Sequence, residues 1–523
     1  MKSKIIIWLT LFIGLMGYAQ PIIKWEKAVG GTKREYGIDV FVDSQQLKFF
    51  STSFSDDYDY IGSHGERDAW VFNLDLDGNF ISSKNFGGSK NDNLSVVNHD
   101  ISDYYLMGGS SFSTDGDFKV DSNSSGIFLA QIDKNDSLLM NFTLPLSQFH
   151  QLSDIVQMNK DKFMIAGRVS QQYTACFGDS TYTNAIFLKA VDRQGNELWR
   201  RCWPGQGGAS RLYKFSDNEY VFLVGNSSSV APFVGESLSY ILFIDSMGND
   251  IKQFSIGCDN KCGMTLNSFF KLTDTTYSIF IGLQGSEAGG DILQTNGTTM
   301  KDLWFGILDR NGEIIHQETF PGLWDEDPSD MIVTSEGDVI LMGSTSMNQP
   351  PFPLSNGGSD IWVIKLNNIG QMIWQKNIGG SYRDGGSRIR EVSSGVYVIA
   401  GWTESNDKDV QSTNYTTSTT TDAWIIMLED TAITNQLTSI ANMDFDFKIF
   451  PNPTNSMLTI QTDAAWQDAT ATLTNLEGRV VFSQALSNNQ QQSLDIGHLP
   501  NGMYFVVVQS AQQKWVRRVV KAE

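Results

Sequence analysis

Seven strand-like runs, each ending in an acidic or amide turn, recur at a nearly constant interval, and this repeat constrains the fold more than any other feature. The turns begin at Asp75, Asp133, Asp192, Asp245, Asp309, Asn367 and Glu429. Successive intervals are 58, 59, 53, 64, 58 and 62 residues, so the period is close to 59. A fixed period of this size indicates a repeat architecture, in which each unit buries its apolar face against its neighbours.

Each repeat unit contains four runs of strand length. In the first complete unit these are DAWVFNLD, FISSKNFGG, NLSVVNHD and DYYLMGGSS. Alternating aromatic and β-branched residues are separated by Gly, Asn and Asp, which suit tight turns. A unit of about 59 residues with four short strands is typical of a propeller blade. The sequence therefore predicts an all-β fold with a seven-bladed β-propeller over residues 20–431.

The two ends of the repeat region complement each other. Residues 22–31 contain only the second half of a unit, and residues 423–430 contain only a first strand. Pairing of these two segments completes the seventh blade and removes exposed sheet edges. We expect this strand exchange to close the ring; a ring of six or eight blades stays open as an alternative if one repeat is degenerate.

The first 19 residues have the pattern of a secretory leader. Lys2 and Lys4 precede an apolar stretch from Ile5 to Met16, and a small-residue ending predicts cleavage between Ala19 and Gln20. The apolar stretch is shorter than the roughly 20 residues of a membrane-spanning helix, and no later segment is apolar enough to replace it. We expect a mature chain that is exported and has no transmembrane segment.

Composition and charge exclude several classes of partner. The chain is 41% hydrophobic and 19% charged, which is typical of packed, soluble domains. The formal net charge of -21 disfavours nucleic acid and anionic membranes, because both need clustered positive charge. Since like charges repel, we expect a monomer.

Four cysteines lie in a chain that is expected to leave the reducing cytosol. They are Cys176, Cys202, Cys258 and Cys262. We favour the pairs closest in sequence, Cys176 with Cys202 and Cys258 with Cys262. Other pairings and four buried thiols remain alternatives; a zinc site has less support, since no His lies near CDNKC.

After Glu429 the repeat stops. Residues 432–445 have the composition of a polar linker, and residues 446–523 alternate apolar and polar residues with Pro, Asn and Gly at the bends. This pattern predicts a small carboxy-terminal β-sandwich with an Ig-like fold.

The carboxy-terminal module resembles the type A sorting domain of the type IX secretion system. The residues that carry this likeness are Pro451, Asn452, Pro453, Gly478, Asn501, Gly502, Tyr504, Lys514, Arg517 and Lys521. The resemblance implies passage through the outer membrane by the secretion machinery, removal of the module by a sortase-like protease, and release or attachment at the cell surface. The glycine-rich repeat of residues 22–430 similarly resembles propeller repeats of secreted Bacteroidetes proteins, which implies an architecture but no activity.

Three acidic loops fall at comparable places in their units. Their Asp-x-Asp spacing is suited to calcium, with Asp57, Asp59, Asp115, Asp117, Asp407 and Asp409 as candidate ligands. None of them completes a calcium-loop motif, and Asp is an ordinary turn residue. Calcium is thus one hypothesis and a turn role is the other; no other cofactor is expected.

The sequence has no HExxH, GxSxG or GxxxxGK[ST] motif, so no catalytic residues are assigned. Four Asp-x-Trp runs recur, and repetition favours packing of the Trp between blades over sugar stacking. Trp324 and Trp402, in or beside loops, are better candidates for ligand contact, and WDEDPSD at 324–330 groups carboxylates that either serve acid/base chemistry or form a solvated loop.

These observations favour an adhesion or interaction module that binds a glycan or a protein at the cell surface. The alternative is an extracellular polysaccharide lyase or glycoside hydrolase whose carboxylates converge at a central channel, at a separation of about 5–10 Å. A purely structural surface protein is the third hypothesis.

Overall fold

The computed structural model divides the chain into two compact units, residues 1–431 and 432–523. It describes residues 20–43, 46–60, 62–99, 103–120, 125–145, 151–169, 185–204, 208–225, 229–230, 233–234, 238–258, 262–285, 289–293, 300–321, 325–346, 355–411, 420–431, 448–461, 469–475, 480–487, 489, 491–509 and 514–522. The predicted leader and its cleavage residue Ala19 lie outside this part of the chain.

Within the described residues, the first unit consists of seven four-stranded antiparallel sheets. The first strand, β1 (Ile22–Val29), belongs to the last of them. Sheet 1 contains β2 (Glu35–Asp43), β3 (Gln46–Ser53), β4 (Asp68–Asp75) and β5 (Phe80–Phe86). Sheet 2 contains β6 (Asp92–Asn98), β7 (Tyr104–Ser111), β8 (Gly126–Asp133) and β9 (Leu138–Pro145). Sheet 3 contains β10 (Gln151–Asn159), β11 (Lys162–Val169), β12 (Ala185–Asp192) and β13 (Glu197–Pro204).

The remaining four sheets follow the same plan. Sheet 4 contains β14 (Gly208–Ser216), β15 (Glu219–Gly225) and, after a short hairpin of β16 (Ser229–Val230) and β17 (Phe233–Val234), β18 (Leu238–Ile244) and β19 (Asp250–Gly257). Sheet 5 contains β20 (Gly263–Lys271), β21 (Thr276–Gln284), β22 (Lys301–Asp309) and β23 (Ile314–Phe320). Sheet 6 contains β24 (Pro328–Val333), β25 (Val339–Thr345), β26 (Asp360–Leu366) and β27 (Met372–Ile378). Sheet 7 contains β28 (Asp384–Ser393), β29 (Val396–Thr403), β30 (Asp422–Glu429) and β1.

Sheet 7 joins the two ends of the repeat region. Strand β1 pairs antiparallel with β30, from Ile22 opposite Glu429 to Val29 opposite Ala423. Sheet 7 in turn contacts sheet 1, where the amide of Glu35 donates to the carbonyl of Thr421 at 2.7 Å. The chain of sheets therefore returns on itself, with its cores lying between neighbouring sheets.

The third strand of each sheet lies at the centre of this packing. In β4 and β8, seven of eight residues are buried, so these strands are covered along nearly their whole length. Their side chains pack on both faces, and the core that includes Trp70 and Val40 of sheet 1 also contains Val398 and Ile425 of sheet 7. The fourth strands lie at the outside and are more exposed; five residues of β5 are exposed.

The recurring turn after the third strand has one geometry. At Asp75 the carboxylate Oδ1 accepts the amides of Asp77 and Asn79, at 3.0 and 2.8 Å. Gly78 follows with a φ of +84°, a conformation that glycine adopts without strain. Trp25 of the neighbouring sheet packs over Gly78, and its Nε1 donates to the carbonyl of Leu76 at 3.0 Å. The turn thus shapes its own hairpin and also receives the adjacent sheet.

The second unit contains two sheets around one core. The three-stranded sheet has the order β31-β32-β35 and the four-stranded sheet has the order β34-β33-β36-β37. Their bounds are β31 (Lys448–Phe450), β32 (Met457–Gln461), β33 (Thr470–Thr474), β34 (Val480–Ala485), β35 (Gln491–Asp495), β36 (Gly502–Gln509) and β37 (Lys514–Lys521). Leu458 and Ile460 of the first sheet pack with Leu473 and Val506 of the second.

Candidate functional site

A cavity of about 620 Å³ lies where the first strands of all seven sheets of the first unit meet. Each first strand contributes at least one residue to the lining of this cavity, and in chain order these include Asp39, Val97, Asp154, Arg211, Phe270, Asp330 and Arg388. A volume of this size is typical of ligand sites. Because every sheet contributes, the cavity is a central channel of the repeat region.

Every first strand has a β-bulge at the same place. The residues that directly follow the bulges are Asp39, Val96, Asp154, Arg211, Ser268, Asp330 and Arg388. A bulge bends its strand and re-aims the next side chain. Five of these seven equivalent positions carry a charge, so the bulges place a layer of ionic groups across the channel.

Arg390 holds two carboxylates of this layer together. Its Nη2 donates to both oxygens of Asp39, at 2.8 and 3.0 Å, and its Nη1 donates to Oδ2 of Asp330 at 3.1 Å. The side chains of Asp39 and Asp330 are only 2% and 7% exposed, whereas that of Arg390 is 28% exposed. The guanidinium group of sheet 7 therefore joins a carboxylate of sheet 1 to a carboxylate of sheet 6.

The other charged groups of the layer complete a balanced set. Nε of Arg388 lies 3.4 Å from Oδ2 of Asp39. The two oxygens of Asp154 accept the amides of Ile155 and Leu212, at 2.9 and 2.8 Å. With three carboxylates and the guanidinium groups of Arg211, Arg388 and Arg390, the layer has no formal net charge.

Burial determines the titration of these groups. Desolvation raises the pKa of Asp39, and the nearby Arg390 and Arg388 oppose that shift. Burial likewise raises the pKa of Asp154, opposed by Arg211. For Arg388 burial disfavours the charge, but the surrounding Asp330, Asp39 and Asp154 raise its pKa overall. The guanidinium group of Arg388 thus stays charged despite its burial.

Aromatic rings line the channel beside the charged layer. Tyr213 and Phe270 have ring centroids 5.3 Å apart, Phe215 and Tyr277 are 6.3 Å apart, and Phe41 lies 5.4 Å from His99. Planar apolar faces next to planar ionic groups offer both stacking and hydrogen bonding to one ligand.

A second cavity, of about 300 Å³, adjoins the charged layer. Its lining includes Ser95, Ser329 and Ser387, each directly before a residue that follows a bulge, together with Arg388. Arg388 therefore lines both cavities.

The acidic loops singled out for calcium each hold a neighbouring backbone segment. All six carboxylates accept amide hydrogen bonds from the double-glycine turns. Asp57, Asp115 and Asp407 accept from Thr32, Ser89 and Ser381 at 2.8, 2.7 and 2.7 Å, and Asp59, Asp117 and Asp409 accept from Gly30, Gly87 and Gly379 at 3.3, 3.1 and 3.2 Å. In the residues that the structure describes, no three or more His, Cys, Asp or Glu side chains group into a metal site.

Calcium binding at these loops stays a prediction, and it has a direct test. If calcium binds the Asp-x-Asp loops, a chelator should lower the melting temperature, and calorimetry should register heat on adding calcium. Because backbone amides already occupy these carboxylates, the turn role predicts neither effect. An unchanged melting temperature would remove the calcium hypothesis.

The four tryptophans of the Asp-x-Trp runs are packed inside the fold. Trp70, Trp304 and Trp424 are fully buried, and Trp362 is 1% exposed. They contact neighbouring sheets and are not available to a ligand in this structure. Trp402 is half-buried in β29, while Trp324 lies outside the described residues.

The aspartates of the same runs form buried carboxyl pairs at four junctions between sheets. The partners are Asp68 with Asp92, Asp302 with Glu326, Asp360 with Asp384, and Asp422 with Glu35. At one of these junctions both carboxylates, those of Asp360 and Asp384, pack against Gly379, where a side chain would collide with them. Glu326 belongs to the segment 324–330, for which a solvated loop was one of two predictions. Its side chain is completely buried.

Burial and mutual repulsion shift the titration of these pairs. Desolvation, with a smaller contribution from Asp92, raises the pKa of Asp68 to about 6. Desolvation and the charges of Asp302 and Asp325 raise the pKa of Glu326 to about 8. At neutral pH Glu326 therefore holds a proton, because two adjacent buried carboxylates cannot both ionise cheaply.

Two of the predicted cysteine positions can be placed in detail. Cys258 is bonded to Cys262, with Cα atoms 5.8 Å apart. Cys202 is also disulfide-bonded. Its expected partner Cys176 lies outside the described residues.

The residues of the carboxy-terminal module come together at its last strand. Oδ1 of Asn452, between Pro451 and Pro453, accepts the amide of Val520 at 2.9 Å. Lys521 Nζ lies 3.4 Å from Oδ1 of Asn501. The hydroxyl of Tyr504 donates to the carbonyl of Pro500 at 2.7 Å, which fixes the turn before Gly502.

The other residues assigned to the module are placed only in part. Arg517 is exposed on β37. Gly478 lies outside the described residues, and for Lys514 the structure describes the backbone alone. The proline loop and the final basic strand nevertheless form one continuous hydrogen-bonded edge.

The channel residues were missed by motif analysis, because they are spread over seven repeats. A signal did exist in the sequence: GIDVF, LSDIV and PSDMI carry Asp at the same point of the first strand, and SRLYK and SRIRE carry Arg there. Comparison of the repeats position by position reveals that this position is charged in five of the seven first strands.

The fold defines a repeated all-β chain with a separate two-sheet carboxy-terminal module. Residues 448–522 of this module match the model of the secretion system C-terminal sorting domain. The chain therefore carries a type IX sorting domain, and it is a protein exported to the cell surface or the extracellular space. Among the described residues no helix is long and apolar enough to span a membrane.

Comparison with curated proteins gives no match. Among solved structures, the chain is similar to Drosophila plexin A in complex with semaphorin 1b, at 8% identity and a TM-score of 0.40, over 78% of this chain and 87% of that one. It is similar to a mutant of Synechocystis apocarotenoid oxygenase at 10% identity and 0.33, over 92% and 98%. It is also similar to the NanB sialidase of Streptococcus pneumoniae at 13% and 0.35, over 78% and 70%. These distant likenesses carry no argument about activity.

Proposed function

We propose that this exported protein is a seven-bladed β-propeller that binds a glycan in its central channel, followed by an Ig-like sorting domain. The seven sheets are the proposed blades, and the return of β1 to β30 supports a closed ring. The observation that carries the binding role is the cavity of about 620 Å³, which combines a charged layer with aromatic walls.

A sugar is the ligand that this lining suits best. Sugar rings offer C–H faces that stack on aromatic rings and hydroxyl groups that pair with planar ionic side chains. Tyr213 and Phe270 supply adjacent aromatic faces, and Arg390, Asp39 and Asp330 supply fixed polar groups. Because the Arg390 network is already formed, little ordering is needed on binding.

Polysaccharide hydrolysis is the second candidate, favoured by one observation. Asp39 and Asp330 bind the same guanidinium group, so two carboxylates lie close together in the channel, as glycoside hydrolysis requires. Both are engaged by Arg390, whereas a nucleophile or general acid must be released to the substrate. We therefore rank binding first.

A glycan array with the full-length mature protein tests the proposal. We expect binding to a defined subset of glycans without cleavage. Replacing Phe270 by Ala should weaken binding by about tenfold, since it removes one stacking face. Tyr382→Ala is the matched control, because Tyr382 is 48% exposed and is not among the residues lining the channel.

Three results would count against this order of functions. Cleavage of an array hit, detected by product analysis, would favour the hydrolase. Equal loss of affinity in both variants would move the site away from the channel. The absence of any glycan ligand would overturn the binding role.

Deletion of residues 446–523 tests the sorting role in cells. The truncated protein lacks the domain that the secretion machinery recognises, so it should accumulate in the periplasm and be lost from the cell surface and medium. Fractionation followed by immunoblotting measures this. Normal surface display of the truncated chain would contradict the assignment.

A further inference from the structure

We propose that the glycan bound in the channel is acidic, and that its carboxylate or sulfate group is received by Arg211. This inference rests on the proposed function, because it names the chemical class of the ligand for the same cavity. In the described part of the channel, most carboxylate acceptors are already hydrogen-bonded, whereas most N–H donors of Arg211 are not.

The acceptors of the charged layer are largely occupied. Oδ1 of Asp39 accepts the amide of Val40 and Nη2 of Arg390, both at 2.8 Å, and Oδ2 accepts Nη2 of Arg390 at 3.0 Å. Each oxygen of Asp154 accepts one backbone amide. Oδ2 of Asp330 accepts the amide of Ile389 at 3.0 Å and Nη1 of Arg390 at 3.1 Å. A cationic ligand would have to displace these bonds.

Arg211 differs from Arg390 in how many of its donors are used. In the described part of the chain it makes one hydrogen bond, from Nη2 to the carbonyl of Ser329 at 3.4 Å. A guanidinium group has five N–H donors in a planar fork that matches an oxyanion. Its other donors are thus available to a ligand in the cavity that Arg211 lines.

Neighbouring groups support a negative ligand at this place. Lys214 and Lys271 also line the cavity, together with Glu219 and Asp274. Lys214 donates to the carbonyl of Met158 at 2.9 Å and pairs with Asp217 at 2.9 Å, whereas Lys271 pairs with Asp274 at 3.0 Å. Because the side chain of Asp274 is 98% exposed, its ion pair contributes little, and Lys271 can turn to an incoming anion at low cost.

Asp154 lies close enough to Arg211 for their charges to interact. Arg211 lowers the pKa of Asp154 against the larger effect of burial, so the two side chains interact. Since both oxygens of Asp154 accept backbone amides, Asp154 fixes the field around Arg211 without consuming its donors. An oxyanion in the channel then meets the donor fork of Arg211 in a cavity that Tyr213 and Phe270 also line.

The test uses an array that contains matched pairs, each an oligouronate and its methyl ester or a sulfated glycan and its neutral parent. We expect the acidic member to bind at least about tenfold more tightly, as for one hydrogen-bonded charge pair. Arg211→Gln should abolish this preference, because the acidic member then binds no more tightly than its neutral partner. Arg211→Lys should retain part of it, and the preference should weaken as salt rises.

Arg193→Gln is the control, because Arg193 is not among the residues that line the channel, and it contacts Asp161 at 3.9 Å and the carbonyl of Lys160. Thermal melts of each variant verify folding. Equal or stronger binding of the neutral members by the wild type would overturn this inference and leave the proposed function standing. Failure of every glycan to bind would overturn both. An acidic preference that survives Arg211→Gln would assign the charge contact elsewhere and overturn the role of Arg211.

Discussion

Replacing Arg390 by Met is expected to destabilise the first unit by about 3–5 kcal/mol, because it removes the guanidinium group that is hydrogen-bonded to two buried carboxylates and leaves only Arg388 beside them. Arg390 joins Asp39 and Asp330, whose side chains are 2% and 7% exposed. These residues belong to sheets 1, 6 and 7, so the loss affects the junctions of three sheets at once. Denaturant unfolding of the full chain measures the change.

The control for this substitution is Arg193→Met at the outside of sheet 3. The Arg193 side chain is 34% exposed and its acidic neighbour Asp161 is 56% exposed, so we expect a change within about 0.5 kcal/mol. Arg390→Met with Asp39→Asn should recover part of the loss, since the second change removes one unpaired charge. A single Arg390→Met variant as stable as the wild type would contradict the role assigned to this network.

The free energy of unfolding is expected to fall as pH rises from about 5 to about 9. A protein stabilised by ionised carboxylates in ion pairs shows the opposite trend. The pKa of Asp68 is raised to about 6 and that of Glu326 to about 8, from ordinary values of 3.8 and 4.5. The folded state therefore binds protons that the unfolded state releases. This contribution is complete below the unfolded pKa values and is lost as pH passes the folded ones; for Glu326 it amounts to about 2–4 kcal/mol.

Glu326→Gln separates this effect from general charge repulsion. Gln keeps the shape of the protonated acid and cannot ionise, so the variant should match the wild type near pH 5 and exceed its melting temperature near pH 9. The charges that face Glu326 are Asp302, Asp325 and Asp327, and all three oppose its ionisation. Parallel pH profiles for the two proteins would show that Glu326 titrates normally.

The repeat allowed much of the fold to be predicted, because its turns depend on local chemistry. Asp75, Asp192, Asp245 and Asp309 mark hairpins in which a carboxylate accepts two amides and a glycine takes a positive φ. The all-β repeat of four-stranded sheets and the sorting domain at residues 448–522 are both confirmed. Both depend on short segments whose pattern can be recognised without knowledge of the rest of the chain.

The channel and the carboxyl pairs could not be predicted from local pattern. Arg390 and Asp39 are 351 residues apart in sequence, and nothing near either residue indicates the other. Glu326 lies in a polar segment that is typical of a solvated loop, yet its backbone amide bonds to the carbonyl of Lys301 and its side chain is buried at a sheet junction. Such residues acquire their role only when neighbouring sheets pack.

The most direct measurement of the central claim is a crystal structure of the protein with its best glycan from the array. We expect sugar rings to lie in the cavity of about 620 Å³, against Tyr213 and Phe270 and within hydrogen-bonding distance of Arg211. Sugar bound on the outer fourth strands or in the connecting loops, with the channel free of ligand, would contradict it.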